Sequence, residues 1–197
     1  PKLVQLPIGI LATELVDVLE TQVELDRGGV VSAGLFGSTI IQNNITLMID
    51  LFGLLEQVDM RIFGASPESL QPSGGTRILV AADTPFLADM QRSYLDSVGY
   101  QVDLARNGEE AMALIKKNAY KALLCDIQMP EMDGIELVKR LRVNPQTRDL
   151  PIIGIISHSD TRSRIQTREA GFTDFENKID KIALLQKIHD FINWEAA

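Results

Sequence analysis

The sequence predicts an α/β fold: a five-stranded parallel sheet with five helices, preceded by a small mostly-β segment. Three observations predict it. After Arg77, short apolar runs alternate with stretches of helical periodicity, the pattern that produces a parallel sheet covered on both faces. One of those runs, Ala122 to Cys125, ends abruptly on an acid, Asp126, and acids at the carboxyl ends of interior strands face the crevice where open α/β sheets bind ligands. Ahead of Arg77 lies GASPESLQPSGG, residues 64–75, a Pro, Ser and Gly cluster of the kind that separates domains.

Residues 1–63 read as mostly β. Ser38 to Gln42 and Ile45 to Asp50 are β-rich runs joined by Asn43-Asn44, and Asn tolerates the left-handed backbone of a tight hairpin turn. Leu51, Leu54, Leu55 and Val58 have helical spacing and predict a short helix over Leu51 to Val58. Leu11 to Glu20 fits a helix through Leu11, Leu15, Val18 and Leu19, or a strand through Leu15 to Val18; pattern alone leaves both open.

Beyond the linker the elements follow in order. Ile78 to Ala82 is a strand, and Pro85 to Val98 a helix with Phe86, Met90, Tyr94, Leu95 and Val98 on one face. Pro85 suits a first helical turn, where its missing N–H costs nothing. Tyr100 to Leu104 and Gly108 to Lys117 are the next strand and helix. Then come strand Ala122 to Cys125, helix Gly134 to Leu141 and strand Ile152 to Ile156. Helix Thr161 to Ala170, a short strand near Thr173 to Glu176 and helix Lys181 to Phe191 complete the pattern.

Composition excludes several classes. Apolar and charged fractions of 45% and 23% in 197 residues are those of a water-soluble globular chain. The single Cys125 lies in an apolar run without a partner, so there is no disulfide framework, and a reducing cytoplasm fits. Asp50 interrupts the best candidate for a membrane span, and no signal peptide is visible. The start at Pro1 without methionine suggests a piece of something longer. Net charge is −8, with −6 in residues 1–75 and −2 in residues 76–197. That balance argues against nucleic-acid binding, which needs a basic face. His158 and His189 lack metal-ligand spacing.

Asp126, followed by Met129-Pro130 and Met132-Asp133-Gly134, resembles the phosphoacceptor loop of response-regulator receiver domains. The resemblance runs from about Arg77 to the C-terminus and implies the flavodoxin-like strand order 2-1-3-4-5. It implies that Asp126 is the nucleophile that accepts a phosphoryl group. Asp83, Asp126 and the backbone carbonyl of Gln128 would hold Mg²⁺, an ion suited to hard oxygen ligands. Ser157 would hydrogen-bond the phosphoryl group, Lys178 would pair with Asp126 or its phosphate, and Phe175 stands where the family carries a switch aromatic. Read without the resemblance, Asp83 or Thr84 would be the N-cap of the helix at Pro85.

The chain departs from the family at several points, among them Glu176 and Asn177, which are unusually polar for a final strand. Ala82 stands where a second acid usually helps hold Mg²⁺ through water, which predicts weaker metal binding. Ile179 replaces the usual proline after the lysine; a cis bond there would cost about 2.5–4 kcal/mol, so trans is expected. His158 replaces a usually small residue beside Ser157.

GILATELVDVLE and GSTIIQNNITLMIDLFGLLE, within residues 9–56, resemble the second half of a CheW-like domain, which tips Leu11 to Glu20 towards strand. The combined expectation is a C-terminal part of a CheA-type hybrid chemotaxis histidine kinase: residues 1–63 the half CheW-like domain, 64–76 a linker and 77–197 the receiver. Kinase catalytic parts are absent from the sequence. The implied partners are a phosphohistidine-bearing domain and, through the CheW-like part, a coupling protein or chemoreceptor, with open strand edges covered by a second copy of the chain in a homodimer or by the receiver. Neither nucleic acid nor membrane insertion is expected. A receiver that works as a phosphorylation-independent interaction module is the alternative, supported by Ala82 and Ile179. An Asp-nucleophile phosphatase of the haloacid-dehalogenase kind is disfavoured, because Gln128 stands where that chemistry needs an acid.

Overall fold

In the computed structural model, residues 19, 21, 23, 25–26, 34–51, 53–54, 75–156, 168–177 and 181–194 are described. The chain divides into two units, residues 1–69 and 70–197.

In the first unit the alternation of apolar and polar residues produces a hairpin. β1 (Leu35–Ile41) pairs antiparallel with β2 (Asn44–Ile49). The turn is Gln42-Asn43, one residue earlier than the Asn43-Asn44 predicted. Both turn residues are left-handed, with φ of 48° and 66°, as the two-residue hairpin turn that matches strand twist requires. The register Ile40↔Ile45 and Ile41↔Asn44 explains the shift. Sliding the turn by one residue would send every side chain of one strand to the other face. Asp50 Oδ1 accepts a hydrogen bond from Gly53 N–H at 3.0 Å and opens a helical turn in which residues 51, 53 and 54 are described. The remainder of the predicted Leu51–Val58 helix, and nearly all of Leu11 to Glu20, lie outside the described residues. Ile40, Ile45, Leu47 and Ile49 are exposed.

The second unit contains a five-stranded parallel sheet. Its strands are β3 (Arg77–Ala81), β4 (Gln101–Ala105), β5 (Ala122–Asp126), β6 (Ile152–Ile156) and β7 (Asp174–Asn177). The order is β4-β3-β5-β6-β7, the 2-1-3-4-5 arrangement expected. Described helices are α1 (Pro85–Asp96), α2 (Gly108–Lys117), α3 (Gly134–Val143) and α4 (Lys181–Trp194). Of the predicted Thr161–Ala170 helix, residues 168–170 are described and are helical.

Strand periodicity sorts the core into two layers. Ile78, Val80 and Leu124 pack with Leu95 of α1 and Leu184 and Ile188 of α4. Their sequence neighbours Leu79, Ala81, Leu123 and Cys125 pack with Ala111 of α2 and Leu137 and Leu141 of α3. Side chains that alternate between faces bury both sides of the sheet, and all five residues of β5 are buried. The neighbouring β6 is likewise buried at all five positions, so Asp126 ends a strand enclosed on both faces.

The amino-terminal entries to β6 and β7 are tied by one residue. Arg142, at the end of α3, donates from Nε to Gly171 O and from Nη1 to Arg148 O and Leu150 O, each at 2.8 Å. Its Nη2 also reaches Thr173 Oγ1 at 3.3 Å. Burial pulls this guanidinium below its ordinary pKa, opposed by the charge of Asp149. It stays charged, because arginine begins so far above neutrality.

Candidate active site

Parallel strands deliver all their carboxyl ends to one edge of the sheet. Asp126, the last residue of β5, lies opposite Ile155 of β6 and is 1% exposed. Ala81 of β3 is in register with Cys125, so the chain leaves β3 through Ala82 and Asp83 beside the end of β5. Asp83 is exposed and accepts a hydrogen bond from Thr84 Oγ1 at 3.1 Å. The N-cap of α1 is Thr84, which makes no side-chain cap hydrogen bond. Asp83 is therefore not spent on capping. Ala82 is 2% exposed and belongs to the core layer under α1 and α4. β6 and β7 end at the same edge, where Ile156 pairs with Asn177. Ser157, Lys178, His158 and Ile179 lie outside the described residues.

The loop after Asp126 is shaped by its two ends. Gly134 N–H donates to Ile127 O at 2.9 Å. A Cβ on Gly134 would collide with Asp126 O and come within 3.0 Å of Cys125 Sγ. Glycine thus lets the start of α3 lie directly against the end of β5, and Asp133 caps that helix by accepting from Glu136 N–H at 2.8 Å. Met129 and Met132 are buried and anchor the loop in the core. Between them Glu131 is left-handed, with φ of 64°, a conformation costing a non-glycine residue about 1–2 kcal/mol. Its Oε2 accepts from Asn107 Nδ2 at 2.8 Å. Sequence reasoning missed both Asn107 and Glu131. Asn107 followed by Glu110 does carry the signature of a helix start, and Asn107 Oδ1 indeed accepts from Glu110 N–H at 2.8 Å. Its second bond, to Glu131, has no sequence signal.

Cys125 is structural. Burial raises its thiol pKa, and the charges of Asp126 and Asp133 raise it further. The protonated thiol donates to Asp126 O at 3.2 Å and is the wrong form for a nucleophile.

Phe175 packs against Phe172, with ring centroids 5.6 Å apart. Its ring occupies the space above Gly154, where a Cβ would approach Phe175 Cδ1 to 2.6 Å. On the other face of β7, Lys187 of α4 bonds Asp174 Oδ2 at 3.0 Å, Glu176 Oε2 at 3.2 Å and Phe175 O at 2.6 Å. The polar residues of this last strand thus meet a cation more than ten positions away in sequence.

Asp83, Asp126 and the carbonyl of Gln128 are hard oxygen donors at one strand edge, the donor chemistry that suits Mg²⁺. A buried carboxylate is also costly unless a cation or hydrogen bonds compensate it. Among the described residues no group of three or more His, Cys, Asp or Glu could hold a metal ion. No helix among the described residues is long and apolar enough to cross a membrane.

Comparison with known proteins points the same way. The family model for the response regulator receiver domain matches residues 78–189. A putative response regulator from Chloroflexus aurantiacus is 34% identical, covers 60% of this chain and 98% of its own, and has a TM-score of 0.58. The receiver domain of sensor histidine kinase PA1611 from Pseudomonas aeruginosa, solved with magnesium coordinated in its active site cleft, is 30% identical. It covers 61% of this chain and 99% of its own, with a TM-score of 0.57. An uncharacterized 14.6 kDa protein from Leptolyngbya boryana is 34% identical over 115 residues, 58% of this chain and 88% of that protein. Against two longer relatives the chain spans only 39% and 12% of their length.

Proposed function

The chain belongs to the response regulator receiver domain family, and on that premise we propose that Asp126 accepts a phosphoryl group from a phosphohistidine with the help of Mg²⁺. The observation that carries this reading is a carboxylate, 1% exposed, at the carboxyl end of the central strand, with Asp83 leaving the neighbouring strand beside it. An oxygen of Asp126 attacks phosphorus as the bond to the donor imidazole nitrogen breaks. The electron pair of that bond leaves on the ring, which takes a proton from solvent, and the product is an acyl phosphate. Mg²⁺ held by Asp83, Asp126 and the Gln128 carbonyl would neutralise charge on the phosphoryl oxygens. Ser157 and Lys178 complete the proposal as the hydroxyl and the cation facing the transferred group. Phe175 is assigned the role of switch aromatic.

A histidine kinase domain is the phosphodonor in this reading. Residues 1–63 are proposed to be the C-terminal half of a CheW-like domain, residues 64–76 a linker and residues 77–197 the receiver, all within a CheA-type hybrid kinase. The hairpin supports this: its exposed Ile40, Ile45, Leu47 and Ile49 form the kind of apolar surface that a partner domain covers. Coupling proteins, chemoreceptors and a second copy of the chain are the candidate partners of that part.

Intact mass after incubation with a small-molecule phosphodonor and Mg²⁺ tests the central step. A phosphoryl-sized adduct that disappears in Asp126→Asn is expected. An adduct that persists in Asp126→Asn overturns the assignment. No adduct in the unsubstituted protein favours the phosphorylation-independent interaction module, for which the buried Ala82 speaks.

A further inference from the structure

The 127–133 loop carries the carbonyl assigned to the metal, and the chain must hold it still for that carbonyl to serve. Met132 O accepts from Gly108 N–H at 3.0 Å, and Ile127 O accepts from Gly134 N–H at 2.9 Å. The middle of the loop, where Glu131 is left-handed, is held by Asn107. We propose that the Asn107–Glu131 hydrogen bond is a clamp that fixes this loop and so positions the Gln128 carbonyl for Mg²⁺; the inference rests on the phosphoacceptor reading above.

Three observations argue for it. Asn107 is 7% exposed although Glu131 is exposed, so this part-buried bond is shielded from water at its donor end. Glu131 holds an unfavourable backbone conformation, which persists only where the surroundings impose it. Finally, Asn107 performs two tasks at once. Its Oδ1 caps α2 while its Nδ2 donates to Glu131. Aspartate caps a helix as well as asparagine does but has no donor. The cap alone therefore does not require asparagine, whereas the clamp does.

That difference supplies the test. Asn107→Asp keeps the cap, removes the donor and sets two carboxylates against each other. By charge alone the added acid would draw Mg²⁺ closer; a loosened loop predicts the opposite. In the full chain, amide exchange at Gly108 should quicken about tenfold, because its N–H bonds Met132 O in that loop. Mg²⁺ affinity by calorimetric titration should fall about fivefold. The double variant Asn107→Asp/Glu131→Gln restores a hydrogen bond in the reverse direction, from the new amide to the new carboxylate, and should return both quantities to within about twofold. Unchanged exchange, unchanged or tighter Mg²⁺ binding in Asn107→Asp, or a double variant that restores neither, overturns the clamp. Absence of Mg²⁺ uptake by the unsubstituted protein overturns the phosphoacceptor reading and the clamp's purpose together. Uptake that Asn107→Asp leaves unaltered overturns the clamp alone.

Discussion

The two edges of the parallel sheet are built on opposite principles. At the amino-terminal edge, charge and hydrogen bonding are matched. Arg77 meets Asp103 at 3.3 Å, Tyr120 donates to the same Asp103 oxygen at 2.7 Å, and Asn118 donates to the Tyr120 hydroxyl at 3.2 Å. Arg142 binds three carbonyls of the loops that lead into β6 and β7. At the carboxyl-terminal edge two acids are met by neutral groups, the Thr84 hydroxyl bonding Asp83 and the Asn107 amide bonding Glu131, while Glu176 near the end of β7 is paired with Lys187. Matched charge at one edge secures the strands. At the other edge, acids meet neutral hydrogen-bond donors. The same β3 that begins on a paired Arg77 leads out through Ala82 and Asp83, so the contrast lies along single strands.

If the amino-terminal edge is the stabilising one, its removal should cost most. Arg142→Met keeps much of the side chain's volume and deletes donors to the part-buried carbonyls of Gly171, Leu150 and Thr147 and to the exposed one of Arg148. The expected loss is about 2–4 kcal/mol in urea denaturation, because each orphaned acceptor costs about 1–3 kcal/mol and the losses are not additive. Mg²⁺ affinity should be unchanged. A loss below about 0.5 kcal/mol, the range of an ordinary surface substitution, would break the comparison.

Arg142 also marks where sequence reading stopped. Strand and helix alternation was legible because each element carries its own period, and all five strands were found with ends shifted by a residue or so. Asp126 stood out in the sequence as the acid that ends an apolar run, whereas the role given to Asp83 rests on the family resemblance. The hairpin was found with its turn one residue late, since Gln42, Asn43 and Asn44 are all polar and only the pairing of Ile40 with Ile45 decides among them. Arg142, Lys187 and the Asn107–Glu131 pair were not legible. Their partners lie up to 31 residues away in sequence, and a polar side chain on a helix carries no mark of which backbone it will meet. Ser157 and Lys178 rest on the family resemblance and fall outside the described residues.

Ala82 sharpens the comparison from the acidic side. It stands between β3 and Asp83, 2% exposed, and adds no charge to the edge. Ala82→Asp supplies one more carboxylate, which should tighten Mg²⁺ about tenfold, or about 1.4 kcal/mol. It should also lower the stability of the metal-free protein by about 1 kcal/mol, since a further acid near Asp83 and Asp126 adds repulsion and burial cost that only the cation relieves. Calorimetric titration reads the first effect and urea denaturation with and without Mg²⁺ the second. Equal affinity in the two proteins would mean that Ala82 does not border the ion, and the assignment of Asp83 would fall with it.

The smallest effect returns to the matched edge. Burial raises the Tyr120 phenol pKa, and its hydrogen bond to Asp103 adds to the shift; the Asn118 bond and the charge of Arg77 pull it back. A phenol whose pKa is raised on folding keeps its proton longer in the native state than in the unfolded chain. Its contribution is therefore complete below the unfolded value, near pH 10, and is lost as pH climbs towards the native one, with a slope of at most about 1.4 kcal/mol per pH unit. Tyr120→Phe should cost about 1 kcal/mol near neutrality, the net worth of one such hydrogen bond. The difference between the two proteins should shrink above pH 10, because phenylalanine has no proton to lose. Tyr100, whose pKa burial also raises, is present in both proteins and cancels from that difference. A gap that widens with pH would mean that the Tyr120–Asp103 bond is stronger with the phenol ionised. That outcome contradicts a carboxylate partner and would leave the amino-terminal edge no better matched than the acidic one.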